Sequence, residues 1–126
     1  MKKEELMIGD WVTVSGKPMQ VASIGATRVG FKDEGGYMFY NLYEEVKPIQ
    51  TTDEILEKNG AEKSSNDRLY FANKLWERDE LSNCWVIGRM NDAYDTPKFA
   101  SFLSIRYVHE LQHYINLFKI DKEVEI

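Results

Sequence analysis

Apolar and polar residues alternate in short runs over the first fifty positions, and a spacing of three and four takes over near the end of the chain. In Leu6–Val14, Val12 and Val14 flank Thr13, the pattern of a half-buried strand. Met19–Ile24 alternates again, Arg28–Phe31 and Tyr37–Tyr40 give two further runs, and Glu44–Ile49 gives a fifth. Turn residues separate them: Ser15-Gly16-Lys17-Pro18, Gly25-Ala26-Thr27 and Asp33-Glu34-Gly35-Gly36. Five short strands with tight turns predict a small, strongly curved antiparallel β-barrel of SH3-like type over residues 1–50, because closure removes the free edges that short strands leave.

Residues 51–126 read differently. Thr51 and Glu54 have capping-box spacing, Ile55 and Leu56 supply apolar positions, and Asn59-Gly60 is a stop, so a short capped helix is expected from Thr52 to about Asn59. Glu62–Asp67 reads as a polar loop. Arg68–Trp76 and Asn83–Met90 read as two strands of a hairpin with Glu77–Glu80 as its charged turn. Asn91–Pro97 reads as a loop and Lys98–Leu103 as a further strand. Ser104 then caps a helix whose stripe is Tyr107, Val108, Leu111, Tyr114, Ile115 and Phe118, and Asp121–Ile126 alternates like a last short strand. The expected fold is α+β: the barrel, the short helix, and a small antiparallel sheet packed by the C-terminal amphipathic helix. With no repeat or long linker, residues 1–126 are expected to form a single domain of two halves, the seam lying between Thr51 and Asp67.

Composition narrows the classes of function. A length of 126 residues, 43% hydrophobic, suffices for a core without metal or disulfide staples. The single cysteine, Cys84, rules out a disulfide within the chain. No signal-peptide pattern or transmembrane span is readable, so the expected location is cytoplasmic. Net charge is −5, with acids and bases mixed throughout. That lacks the clustered basic face of a duplex binder; only a fold that gathers Lys17, Arg28, Lys32 and Lys47 on one surface would supply one.

One string has catalytic spacing. His109-Glu110-Leu111-Gln112-His113 fits H-E-x-x-H, in which histidines four apart on a helix hold zinc and the glutamate activates its water. Against it, the apolar stripe centres on Tyr107, Leu111 and Ile115, which turns His109 and His113 toward water. A catalytic zinc also needs a third protein ligand, and the chain holds no third histidine; downstream of His113 the candidates are Asp121, Glu123 and Glu125, and Cys84 would have to come from upstream. Two solvated histidines on an amphipathic helix is the expected arrangement, with no metal, cofactor or catalytic residue. Cys84, in an apolar strand, reads as a buried structural thiol. The acid pairs Glu4-Glu5, Glu44-Glu45 and Asp79-Glu80 read as solvated charges. Tyr37, Phe39, Tyr40 and Tyr43 are candidates for an aromatic binding surface, about half of them being needed for the core.

Several blocks together resemble a known family. Ile8-Gly9-Asp10-Trp11-Val12, Gly16-Lys17-Pro18, Val46-Lys47-Pro48-Ile49, Thr52–Gly60 and Tyr107–Gln112 are similar to a recurrent family of small proteins from gut Bacteroidetes genomes, often in prophage-like or mobile regions. The resemblance covers both ends of the chain and leaves out Ala61–Leu103. It implies no activity and no catalytic residues, and the family is not a zinc-peptidase family. The function expected is a non-catalytic binding or adaptor module with a protein partner or a second copy of itself. The alternatives are an SH3-like nucleic-acid binder and a zinc-dependent hydrolase through His109, Glu110 and His113.

Overall fold

The computed structural model describes residues 1–65, 67–72, 74–89 and 104–126. The chain is α+β and mostly strands, in two compact units, Met1–Gln50 and Thr51–Ile126. The expected loop over 91–97 and strand over 98–103 lie outside the described residues. Among the described residues, no helix is long and apolar enough to cross a membrane.

The first unit is an antiparallel sheet of β1 (Trp11–Val14), β2 (Lys17–Ile24), β3 (Arg28–Lys32), β4 (Met38–Leu42) and β5 (Val46–Pro48). The order is β4-β3-β2-β1-β5. All five expected strands form. The sheet does not close, however: β4 pairs only with β3, β5 only with β1, and no ladder joins the two outer strands. A register shift between Val21 and Ser23 marks a bulge at Ala22, which bends β2. Strand alternation puts Val12 and Val14, Val21, Val29 and Phe31, and Val46 into one core with Leu6. Each such side chain, fully buried, contributes about 1.5–3 kcal/mol. Asp33-Glu34-Gly35-Gly36 turns as expected: Gly36 takes φ +82°, and its N–H donates to the Asp33 carbonyl at 3.0 Å.

In the second unit, α1 (Asp53–Lys58) precedes an antiparallel sheet of order β10-β9-β8-β7-β6. Its strands are β6 (Glu62–Ser65), β7 (Arg68–Phe71), β8 (Lys74–Asp79), β9 (Cys84–Arg89) and β10 (Ser104–Ile105), and α2 (Val108–Leu117) follows. One sheet face carries Leu69, Phe71, Trp76, Trp85 and Ile105, all buried. Tyr114 of α2 meets the Trp76 ring edge-on at 5.5 Å, which seats the helix on that face.

Several sequence expectations are corrected here. The cap of α1 is Thr52, whose hydroxyl accepts from Ile55 N at 3.2 Å, while Thr51 is buried and its carbonyl accepts from the Trp85 indole. Glu62–Ser65 is an edge strand, hidden in the sequence because all four residues are exposed and none is apolar. Arg68–Trp76 is not one strand: the chain reverses after Phe71, with Ala72 at φ +51°, and β8 runs on to Asp79 through residues that read as a turn. Ser104 belongs to β10, and α2 is capped at Tyr107. The final segment forms no strand. Buried Asn59 holds it instead, donating to the Glu125 carbonyl at 2.6 Å and accepting from Glu125 N at 2.7 Å.

Candidate binding cleft

The zinc-like string is built into the start of α2. His109 is only 4% exposed, which corrects the expectation that both imidazoles face water; His113 is half-buried. The reason is position along the helix. His109 lies in the first turn, where the incoming chain folds over a side that is open further along. The Tyr107 ring stacks on the His109 imidazole, centroids 5.8 Å apart and 13° between planes, and His113 meets it edge-on at 5.7 Å. Glu110 is the third helical residue, and its Oε1 accepts the backbone N–H of Arg106 at 3.0 Å and of Tyr107 at 2.9 Å. These bonds satisfy donors that the start of a helix leaves open. Among the described residues, no three His, Cys, Asp or Glu side chains gather as a metal-binding set.

All six residues of the acid pairs are exposed, as expected of solvated charges, and one of each pair is also a local fastener. Glu5 accepts from Lys2 N at 3.2 Å and Glu45 from Leu42 N at 2.9 Å, each three residues on, as Glu110 does for Tyr107. Asp79 accepts from Leu81 N and the Ser82 hydroxyl, and these bonds hold its carboxyl below the usual carboxylate range. Cys84 is buried, its Sγ 2.9 Å from the Ser82 hydroxyl.

The four candidate aromatics divide between core and surface. Phe39 and Tyr43 pack against the first core, Phe39 with its ring 5.7 Å from Phe31 and Tyr43 donating its hydroxyl to the Gly25 carbonyl. Tyr37 and Tyr40 point outward, 76% and 56% exposed.

A surface feature that the linear reading missed lies beside them: an open cleft of about 1030 Å³ confined to the first unit. Ile8, Trp11, Pro18, Met19 and Phe39 supply its apolar lining, and Trp11, Met19 and Phe39 are partly buried there. The wall at Ile8 is held from below. Buried Asp10 accepts from Met7 N at 2.8 Å, Gly9 N donates to the Val21 carbonyl at 2.8 Å, and Gln20 Nε2 donates to the Gly9 carbonyl at 3.1 Å. Gly9 sits at φ +95°, a conformation that Gly adopts without steric cost. Ile8 is thus fixed while 70% exposed. Lys17 and Lys32 line the rim together with Asp33 and Glu34, so these two of the four basic candidates are interleaved with acids. The lining contains no His, Cys, Ser, Thr or Tyr. Its residues come from four separate stretches of sequence, each of which alone reads as strand or turn.

Against family models, curated proteins and solved structures, the chain finds no match.

Proposed function

We propose that this protein is a non-catalytic binding module whose first unit holds a short, extended segment of a partner protein in the Trp11–Phe39 cleft. The observation that carries the reading is the lining itself: exposed Ile8 beside partly buried Trp11, Met19 and Phe39 on a braced backbone, with charges of both signs at the rim. Exposed aromatics on a rigid frame lose little side-chain entropy on binding, and apolar floors with polar rims are the common form of peptide grooves. Interleaved Lys and Asp/Glu favour a peptide of mixed charge over a polyanion. The strand order β4-β3-β2-β1-β5, the bulge at Ala22 and the 3-10 turn Tyr43–Glu45 before β5 support an SH3-like assignment of this unit. A single free, buried thiol suits a reducing compartment, and we place the module in the cytoplasm.

Selection of peptides from a random displayed library, followed by calorimetric titration, tests the reading. Selected peptides should carry an apolar anchor. Trp11→Ala should weaken them by about 2 kcal/mol, roughly thirtyfold, with the circular dichroism of the fold retained. The proposal fails if no peptide is selected, or if both Trp11→Ala and Met19→Ser leave the affinities unchanged. Salt-dependent capture of single-stranded oligonucleotides without peptide binding would establish the nucleic-acid reading in its place.

A further inference from the structure

The outer strand β4 differs from the outer strands β5 and β6. β5 is three residues long and carries Lys47 and Pro48; β6 carries Glu62 and Lys63 with all four residues exposed. Charge, proline and shortness are the usual means by which a free edge avoids pairing with another chain. β4 has none of them. Tyr37–Leu42 contains no charge, no proline and no glycine, in a chain that is 29% charged. Its outward face carries Met38, Tyr40 and Leu42, which are 36%, 56% and 43% exposed.

The hydrogen-bond phase shows what the edge offers. Asp33 N donates to the Tyr37 carbonyl at 3.0 Å, so the bonded pairs of this antiparallel ladder continue at Phe31–Phe39 and Val29–Asn41. Met38 and Tyr40 therefore turn their backbone N–H and C=O groups away from β3. Leu42 N also turns outward and is held by Glu45 Oε1 at 2.9 Å, which ends the open stretch. Beneath this face Gly30 pairs with Tyr40. A Cβ at Gly30 would meet Met38 Cε at 2.9 Å and Tyr40 Cε1 at 3.0 Å, so the missing side chain lets both lie low across β3.

We propose that β4 is a self-pairing edge: two copies of this chain join β4 to β4, antiparallel, about a two-fold axis at Tyr40. The strand is self-complementary in that register and in no charge-dependent way. Tyr40 faces Tyr40 of the second copy, and Met38 faces Leu42. Met38 and Tyr40 supply the outward N–H groups, and Tyr40 and Leu42 the carbonyls that receive them. The exposed side chains merge into one apolar band running across the axis. A two-fold contact requires such self-matching of a single patch. The interface is independent of the peptide reading, since none of Met38, Tyr40 and Leu42 lines the cleft.

Sedimentation equilibrium of the full chain from micromolar to millimolar concentration is the test, with hydrogen exchange read at both ends of that range. A monomer–dimer equilibrium is expected, and the amides of Met38 and Tyr40 should gain protection as dimer forms. Met38→Lys should weaken the dimer about tenfold, since each copy brings a charge against the other's Leu42. Leu42→Lys, at the end of the strand, should do the same, and it serves as the second variant should Met38→Lys disturb the packing over Gly30. A chain that stays monomeric at millimolar concentration overturns the proposal. So does a dimer that leaves the Met38 and Tyr40 amides unprotected, or one unmoved by both substitutions. Monomers that bind an added peptide along β4 would show the edge to serve a different occupant, and the self-pairing proposal would fall.

Discussion

Glu110 is the residue at which the catalytic and the structural readings part most sharply. As the base of a zinc site it would contribute to turnover and little to stability. As observed, one of its oxygens takes two backbone N–H groups at the start of α2. Glu110→Ala should therefore lower stability by about 1 kcal/mol, the usual loss for a helix cap, visible as an earlier midpoint in urea. Glu110→Gln keeps an acceptor and should lose less. An unchanged midpoint in both variants would contradict the capping role. The string itself was legible, but its burial was not. Helical angles place His109 opposite Leu111, and they are blind to the approach of Tyr107, which is set by where the helix begins. The sequence offers Ser104 as a plausible cap, and only the pairing of Ser104 and Ile105 with β9 moves the start to Tyr107–Val108.

At the scale of elements, legibility follows alternation. Strands whose inner face is apolar and whose ends are marked by Gly or Pro, such as β1 and β3, stand out in the sequence. β6 has no inner apolar residue, and the reversal between β7 and β8 falls inside a run of aromatics without a Gly or Pro to mark it. Helix α1 was legible from its ends, and its first residue has a measurable signature. Lys63 Nζ donates to Asp53 Oδ2 at 3.2 Å, and this bond, with that from Glu54 N, draws the Asp53 carboxyl below its ordinary 3.8. A carboxyl whose folded-state value is depressed adds stability above its unfolded value and loses it as pH falls through the folded one. Both partners are over a third or nearly a third exposed, so the pair contributes only a few tenths of a kcal/mol, roughly 0.5 at most. Lys63→Gln should be slightly less stable than the parent at neutral pH, and the gap should close as pH drops below about 4. Parallel urea titrations at neutral and acid pH check this; a gap that persists in acid would assign the effect to something other than this pair.

For the whole molecule, the cleft was hidden because its lining is assembled from Ile8–Trp11, Lys17–Ala22, Lys32–Gly35 and Phe39, a proximity that exists only once the meander has formed. Charge, by contrast, was legible at once, and it bears on association. Residues 1–50 hold six Lys and Arg against seven Asp and Glu, a net −1, whereas 51–126 hold ten against fourteen, a net −4. Two copies joined through the uncharged β4 edge thus bring no ion pairs into contact but bring two anionic bodies together. Their mutual repulsion acts over the screening length of the solvent, about 8 Å at physiological ionic strength. Sodium chloride weakens that repulsion and leaves backbone pairing and apolar contact nearly untouched. The dimer should consequently tighten with salt, its dissociation constant falling about two- to fivefold on moving from low to moderate ionic strength, and tighten again as pH approaches the isoelectric point near 5.1. An interface built on complementary charge responds the other way, loosening as salt rises. Sedimentation at two salt concentrations separates the cases, and a dissociation constant that increases with salt would place the contact on the charged surface of the molecule and away from β4.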